Sequence, residues 1–162
     1  MNMALVFRTL VLLAVANGTP VVVKRVFGTR ADHAIDCGMR LADGRFLFGP
    51  SKTIRGIVSS VIATALIAPA VGLTLYAGIV IALGAMAGDL ASSFIKRRLG
   101  LEPSSKATGL DQVPEALLPC LLLSAILPLT AGDIAVIVLL FFGGEILFSE
   151  LLFLAGVRDR PY

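Results

Sequence analysis

Four polar side chains share one stripe of an otherwise apolar helix in the middle of the sequence. Asp89, Ser92, Ser93 and Lys96 stand at spacings i, i+3, i+4 and i+7, which places them on one helical face. A carboxylate at that depth of a membrane segment is costly and therefore marks a functional site. The stripe predicts a site for a metal ion and phosphate oxygens. A structural salt bridge from Asp89 to Lys96 or to an arginine is the alternative.

Further charged residues follow the stripe along the chain. Arg97 and Arg98 come next, and Asp111 and Glu115 stand where the following apolar run begins. Carboxylates without clustered histidines or cysteines suit Mg²⁺, and guanidinium groups suit phosphate oxygens. The residue types predict phosphoryl or nucleotidyl transfer, driven by positioning and charge neutralisation. Asp111 could instead be only a helix N-cap, with Pro114 in the first turn.

A second basic motif lies directly before the second apolar segment. Lys52, Thr53 and Arg55 occupy the amino end of a predicted helix, where free N–H groups and the helix dipole favour anions. A phosphate-binding loop of the nucleotide-hydrolase type is excluded, because Pro50 and Ser51 interrupt the motif and no strand precedes it. The motif predicts phosphate binding. Anchoring to lipid headgroups by a basic cluster is the alternative.

These residues require elements that place them at a membrane surface. Of the 162 residues, 57% are hydrophobic and 15% are charged. A bilayer core of about 30 Å needs about 20 apolar residues per helix. The composition predicts an all-α integral membrane protein, with one membrane domain over residues 1–162. Its five transmembrane helices are predicted at about 4–23, 57–75, 77–95, 113–129 and 134–157, with loops at 24–56 and 96–112.

The placement of positive charge predicts the orientation in the membrane. Eleven of the fourteen lysines and arginines lie in the two loops, and Arg158 and Arg160 follow the fifth segment. By the positive-inside rule, both loops and the carboxyl terminus are cytoplasmic and the amino terminus is outside the cell membrane. Nucleic-acid binding is not expected, because no recognition fold or interleaved aromatic residues accompany the basic loops.

The first loop is rich in glycine, which favours turns over regular structure. Its acids, Asp32, Asp36 and Asp43, are interpreted as solvated counter-charges to the neighbouring arginines. Cys37 falls in this loop and Cys120 in a membrane segment, so a disulfide framework is not expected.

Several polar or small residues within the segments leave alternatives open. Asn17 serves either helix packing or a local opening of the first helix. Gly84 and Gly88 form a close-packing pattern that serves either a neighbouring helix or a second subunit in a homodimer. Glu145 lies near the middle of the fifth segment, and Glu150 is about 140° away around the helix. Either acid could bind a metal, pair with a base or be protonated.

The sequence resembles the CDP-archaeol synthase family, relatives of phosphatidate cytidylyltransferase. The matching stretches are Ala16–Pro20, DGRFLFGPSKTIRG at 43–56, GDLASSFIKRRLGLEPSS at 88–105 and LDQ at 110–112. The resemblance implies use of CTP and Mg²⁺ to convert a lipid phosphate into a CDP-activated lipid, with release of pyrophosphate. Membrane lipids are expected to surround the enzyme. The resemblance leaves open whether the lipid is an archaeal ether-lipid phosphate or phosphatidate.

The resemblance also implies roles for individual residues. The expected catalytic residues are Asp89, Asp111 and Lys96; the expected metal ligands are Asp89, Asp111 and Glu115. Glu115 is included because Pro114 stands where the family has its second aspartate. Substrate-binding roles are expected for Asn17, Lys52, Thr53, Arg55, Ser92, Ser93, Arg97 and Arg98. The alternatives are a small transporter or ion-binding membrane protein that uses Asp89, Glu145 and Glu150, and a non-catalytic lipid-binding module.

Overall fold

The computed structural model describes residues 1–28, 30–105 and 107–154, with side chains as far as residue 147. Its helices are α1 (Met3–Phe27), α2 (Ile54–Ile67), α3 (Leu75–Arg98), α4 (Gln112–Ser124) and α5 (Ala131–Leu154). A short 3₁₀ helix, Ala68–Val71, follows α2 where Pro69 ends the α-helical hydrogen bonding. Within these residues there is no strand, only two isolated antiparallel bridges in the first loop. The predicted all-α architecture is confirmed.

Helix lengths agree with the predicted membrane segments, with one exception. Among the residues searched, α1, Ile54–Val71 and α3 are long and apolar enough to cross a membrane. The fourth segment, predicted at 113–129, is helical over only 13 residues, because the chain enters a turn at Ala125. The end of the fifth segment (155–157), the Glu150 side chain, Lys106, Arg158 and Arg160 lie outside the described residues.

Helix α3 is the centre of the bundle and packs against α1, α2 and α4, while α5 packs against α1 and α4. Among the described residues, the largest fully buried apolar side chains include Leu12 and Leu13 of α1, Ile81 of α3, Leu123 of α4 and Ile137 of α5. Large apolar side chains also cover the outer faces, among them Val22, Ile62, Leu66, Leu83, Leu121 and Leu139. Such an exterior suits lipid, in which helices associate by close packing more than by hydrophobic burial.

Gly84 and Gly88 of α3 pack against α4 of the same chain. A Cβ atom at Gly84 would lie 2.6 Å from Pro119 Cα, and one at Gly88 would lie 2.3 Å from Pro114 O. Only glycine allows α4 to approach this closely. The predicted close-packing pattern therefore serves a neighbouring helix, and a homodimer, which stays a prediction, needs another surface. This contact also sets the register in which the polar residues of α3 meet α4.

Because the helices alternate in direction, the loops 28–53 and 99–111 lie at one end of the bundle, called the loop end. At the opposite end, Asn2 N–H donates to Asp133 Oδ1 at 2.9 Å, and Arg8 Nη1 donates to Gly72 O at 3.3 Å. These bonds tie α1 to α5 and to the turn after α2. The loop end holds the predicted site residues.

Candidate active site

The predicted polar stripe of α3 faces protein and not lipid. Ser92, Ser93 and Lys96 are buried, and Asp89 is partly buried. Ser92 Oγ donates to Asp89 O within its own helix at 3.0 Å. The i, i+3, i+4, i+7 pattern thus correctly identified an inward-facing polar surface.

Asp89 lies between a lysine from the first loop and an acid from α4. Lys52 Nζ is 2.5 Å from Asp89 Oδ1, so the partner is not Lys96 or an arginine. The Glu115 carboxyl is close enough to both Asp89 and Glu145 for electrostatic repulsion. Acids this close require a proton or a cation between them. Glu145, whose role the sequence left open, therefore reaches the same cluster from α5.

Asp111 forms a second acid–base pair on the same helix contact. It occupies the N-cap position of α4 but makes no side-chain cap bond. Its Oδ1 is 2.5 Å from Lys96 Nζ, and its Oδ2 accepts the Ala107 N–H at 2.9 Å. Lys96 Nζ also donates to Ser105 O at 3.1 Å. The structure thus brings Glu115 to Asp89 and holds Asp111 with Lys96.

Arg97 adds a second buried cation beside this pair. Only 3% of the residue is exposed, its Nη2 donates to Glu102 O at 2.8 Å, and its charge interacts with Asp111. Its Nε has no hydrogen-bond partner among the described residues. Two buried cations, Lys96 and Arg97, face one carboxylate here, and the excess positive charge favours an anionic ligand.

Arg55 and Arg98 bind the first loop. Arg55 Nη2 is 2.9 Å from Asp32 Oδ1. Arg98 is paired with Asp43 and donates to Phe46 O at 2.6 Å, so it fastens the first loop to the end of α3. Both arginines have protein partners in this state, and their expected contacts with substrate stay predictions.

Thr53 and Asn17 make local bonds. Thr53 Oγ1 caps α2 by accepting the Gly56 N–H at 3.2 Å. Asn17 Nδ2 donates to Leu13 O of its own helix at 3.1 Å. The helix is continuous through Pro20, whose ring packs against Gly56 of α2. A local opening of α1 at Asn17 is therefore not present.

A cleft that is partly open to solvent lies between the loop-end parts of α1, α2 and α3. Its polar lining consists of Lys24, Asp32, Ser51, Lys52, Thr53, Arg55 and Asp89, and its apolar lining includes Pro20, Ile57, Met86 and Leu90. Asn17 is not in this lining. Lys24 was not predicted as a site residue, although it is one helical turn after Pro20 and so shares its face.

Asp36 differs most from the sequence interpretation. It is 5% exposed and accepts three backbone N–H groups, from Gly38 at 3.0 Å, Phe48 at 3.0 Å and Gly49 at 2.8 Å. Burial alone would raise the pKa of Asp36, but these hydrogen bonds hold it below its ordinary value. The prediction of a solvated counter-charge was wrong here. An Asp two residues before a glycine is a signal for this type of turn.

Comparison with known proteins decides what this arrangement belongs to. The model of the CarS-like family, described as CDP-archaeol synthase, matches residues 2–162. The chain belongs to the CDP-archaeol synthase family. The CDP-archaeol synthase of Thermofilum pendens is 33% identical over 154 residues, covering 91% of this chain and 76% of that protein. The one from Methanopyrus kandleri is 44% identical over 85 residues, and the match spans about half of its length (49%).

A solved structure supports the same assignment. It is described as an intramembrane enzyme for archaeal membrane lipids biosynthesis. It matches this chain with a TM-score of 0.63 and 33% identity, covering 84% of this chain and 92% of that one. Membership of the CDP-archaeol synthase family confirms the resemblance seen in the sequence. The comparisons do not support a transporter or a simple ion-binding membrane protein.

Proposed function

We propose that this chain is a CTP-dependent cytidylyltransferase that converts an archaeal ether-lipid phosphate into its CDP-activated form. An oxygen of the lipid phosphate attacks the α-phosphorus of CTP. The bond between the α-phosphorus and the oxygen bridging to the β-phosphorus breaks, and pyrophosphate leaves with that oxygen. The proposal rests on the family and on the names of its archaeal relatives.

One observation carries this proposal beyond the family assignment: buried charges of both signs meet at the loop end. The α3–α4 contact holds two acids, Asp89 and Glu115, and Lys96 and Arg97 follow Asp89 about two turns along α3. Charge develops on phosphate oxygens during the transfer, and fixed cations in a water-poor site stabilise it strongly. Lys96 and Arg97 would hold phosphate groups, with Asp111 keeping Lys96 in place.

The cleft beside this cluster fits the second substrate. Lys24 and Lys52 contribute positive charge to its lining, and Ile57, Met86 and Leu90 contribute apolar surface. A ligand that is anionic at one end and apolar at the other matches such a lining. These residues support a lipid phosphate with its headgroup near Lys52 and its apolar part toward the bilayer.

The donor set fits Mg²⁺. Within the part of the chain that is described, no three His, Cys, Asp or Glu side chains form a complete metal site. Mg²⁺ does not require one, because it usually binds one or two carboxylates together with water and substrate phosphates. Asp89 and Glu115, which already approach each other, would hold the ion. Bound there, Mg²⁺ would offset negative charge on the phosphate oxygens.

The loop end is proposed to face the cytoplasm, with the amino terminus outside and the carboxyl terminus inside. Eleven of the fourteen lysines and arginines lie in residues 24–56 and 96–112, which supports this orientation. It gives the cationic cluster access to CTP, a cytosolic nucleotide.

The reaction is tested with purified protein in lipid nanodiscs and CTP labelled at the α-phosphate. Label should enter the organic extract when an archaeal ether-lipid phosphate is supplied, should be lost in chelator, and should return with Mg²⁺. Glu102→Gln, which neutralises an exposed acid, is the matched control and should keep full activity. Product from phosphatidate alone would contradict the proposed substrate. No extractable label from either lipid, with monodisperse protein, would contradict the reaction.

A further inference from the structure

Asp36 is a fixed point in a loop that otherwise lacks regular structure. Its Oδ2 accepts both the Phe48 and the Gly49 N–H groups, and its Oδ1 accepts Gly38 N–H. Hydrogen bonds to a charged group contribute more than neutral ones. The side chain is buried and does not line the cleft, so it is placed to organise backbone and not to bind substrate.

The backbone that Asp36 holds leads directly to Lys52. Lys52 N–H donates to Gly49 O at 3.2 Å, closing a turn that starts at the residue bound by Asp36. The neighbours of Asp36 hold the far side of this turn: Ile35 N–H donates to Lys52 O at 2.8 Å, and Ile54 N–H donates to His33 O at 3.0 Å. Residues 33–36 therefore set the backbone position of Lys52.

That backbone position determines where the Lys52 ammonium group lies. Lys52 Nζ is 2.5 Å from Asp89 Oδ1, inside the proposed reaction centre. Fixing a lysine side chain costs conformational entropy. A fixed Cα position limits the side-chain conformations that are available and so keeps the ammonium group near Asp89. Gly49, with φ of 102°, also lies against the buried Arg97, since a Cβ there would be 3.4 Å from Arg97 Nη1.

We propose that Asp36 is a positioning residue for Lys52. By holding the turn of residues 48–52, it keeps the Lys52 ammonium group against Asp89 and the phosphate that reacts there. The inference rests on the proposed function, because its effect is measured on that reaction. A displacement of about 1 Å at a reacting group can cost about 10²-fold in rate.

Two variants separate the bonds that matter. Asp36→Ala removes all three acceptors, and we expect kcat to fall by about 10²-fold. In Asp36→Asn, an amide oxygen in the Oδ2 position keeps both bonds to Phe48 and Gly49 and gives up only Gly38. Its kcat should therefore stay within about 10-fold of wild type. Amide hydrogen exchange over residues 48–52 should rise clearly in Asp36→Ala and little in Asp36→Asn.

A double-mutant cycle tests whether Asp36 acts through Lys52. Lys52→Ala alone should leave roughly 10⁻² to 10⁻³ of the activity, which label counting can measure. In the Lys52→Ala background, Asp36→Ala should lower kcat by less than about a further 3-fold, because the ammonium group that Asp36 positions is gone. Equal losses in both backgrounds would overturn the proposal, as would wild-type turnover and exchange in Asp36→Ala.

The outcomes distinguish this inference from the proposed function. An inactive wild-type protein contradicts the cytidylyltransferase reaction, whereas an active wild type with additive losses contradicts only the role of Asp36. If Asp36→Ala is not monodisperse, Asp36→Asn is compared in the two backgrounds. If Asp36→Asn lowers turnover several-fold when Lys52 is present but not in the Lys52→Ala background, the proposal is supported. If the loss is the same in both backgrounds, the proposal is overturned.

Discussion

Replacing Gly88 by alanine should separate α3 from α4 and disable the site. The new Cβ would lie 2.3 Å from Pro114 O, 2.5 Å from Pro114 C and 2.7 Å from Glu115 N. All three are backbone atoms and cannot rotate away. Ordinary contact begins at 3.4 Å, so the helices must move apart by roughly 1 Å at an overpacking cost of about 1–3 kcal/mol.

The displacement falls directly on the paired acids, because Asp89 follows Gly88 and Glu115 follows Pro114. We therefore expect a lower Tm and a loss of about 10²-fold in kcat. Both are measured on purified protein with α-labelled CTP. Gly18→Ala is the matched control: a Cβ at this helical position has nothing within 4 Å, and alanine there should stabilise the helix by about 0.5–1 kcal/mol.

Two results would refute this reasoning. Wild-type Tm and turnover in Gly88→Ala would show that α3 and α4 do not touch at this glycine. A lower Tm with unchanged turnover would show that the helix contact is real but does not position the reacting groups.

Three further predictions follow from the charged groups and the loops. The native Cys37 is exposed and Cys120 is fully buried, so an impermeant thiol reagent should label Cys37 only after cells are permeabilised. Cys37→Ser gives the background signal, and labelling of Cys37 in intact cells would contradict the proposed orientation. Because the pKa of Asp36 is lowered on folding, its stabilisation is present above its unfolded pKa of about 3.9 and is lost as the pH falls through the folded value. The Tm difference between wild type and Asp36→Asn should therefore shrink below about pH 4, and a constant difference would contradict the role of the carboxylate. Asp111→Asn leaves buried Lys96 without its counter-charge and should lower both Tm and turnover, whereas Lys96→Met combined with Asp111→Asn should restore Tm but not turnover. Recovery of turnover in that double variant would contradict a role for Lys96 at phosphate.

Local patterns in the sequence were enough to predict the helices and one face of α3. Apolar length predicted each helix, and spacing at 3.6 residues per turn predicted the buried stripe that includes Ser93 and Lys96. Helix ends were less well predicted. For example, α2 begins at Ile54, three residues early, because Thr53 supplies the cap.

Partners between distant residues were not predictable from spacing. Asp89 meets Glu115 because Gly84 and Gly88 bring α4 close in one register, and it meets Lys52 because the turn of residues 48–52 folds against α3. Both contacts are tertiary properties. Glu145 approaches Glu115 because of how α5 is rotated in the bundle, which a nearly uniform apolar helix does not reveal. Asp36 was misread because loop burial depends on long-range hydrogen bonds.

The most direct test of the central claim follows two labels through the reaction of wild type and Asp89→Asn. With CTP labelled at the α-phosphate, wild type should produce labelled lipid; with CTP labelled at the γ-phosphate, the label should appear in pyrophosphate. Asp89→Asn should lose at least about 10²-fold in both signals while keeping its elution profile and Tm. Label from the γ-phosphate in lipid, or full activity in Asp89→Asn, would contradict nucleotidyl transfer at this site.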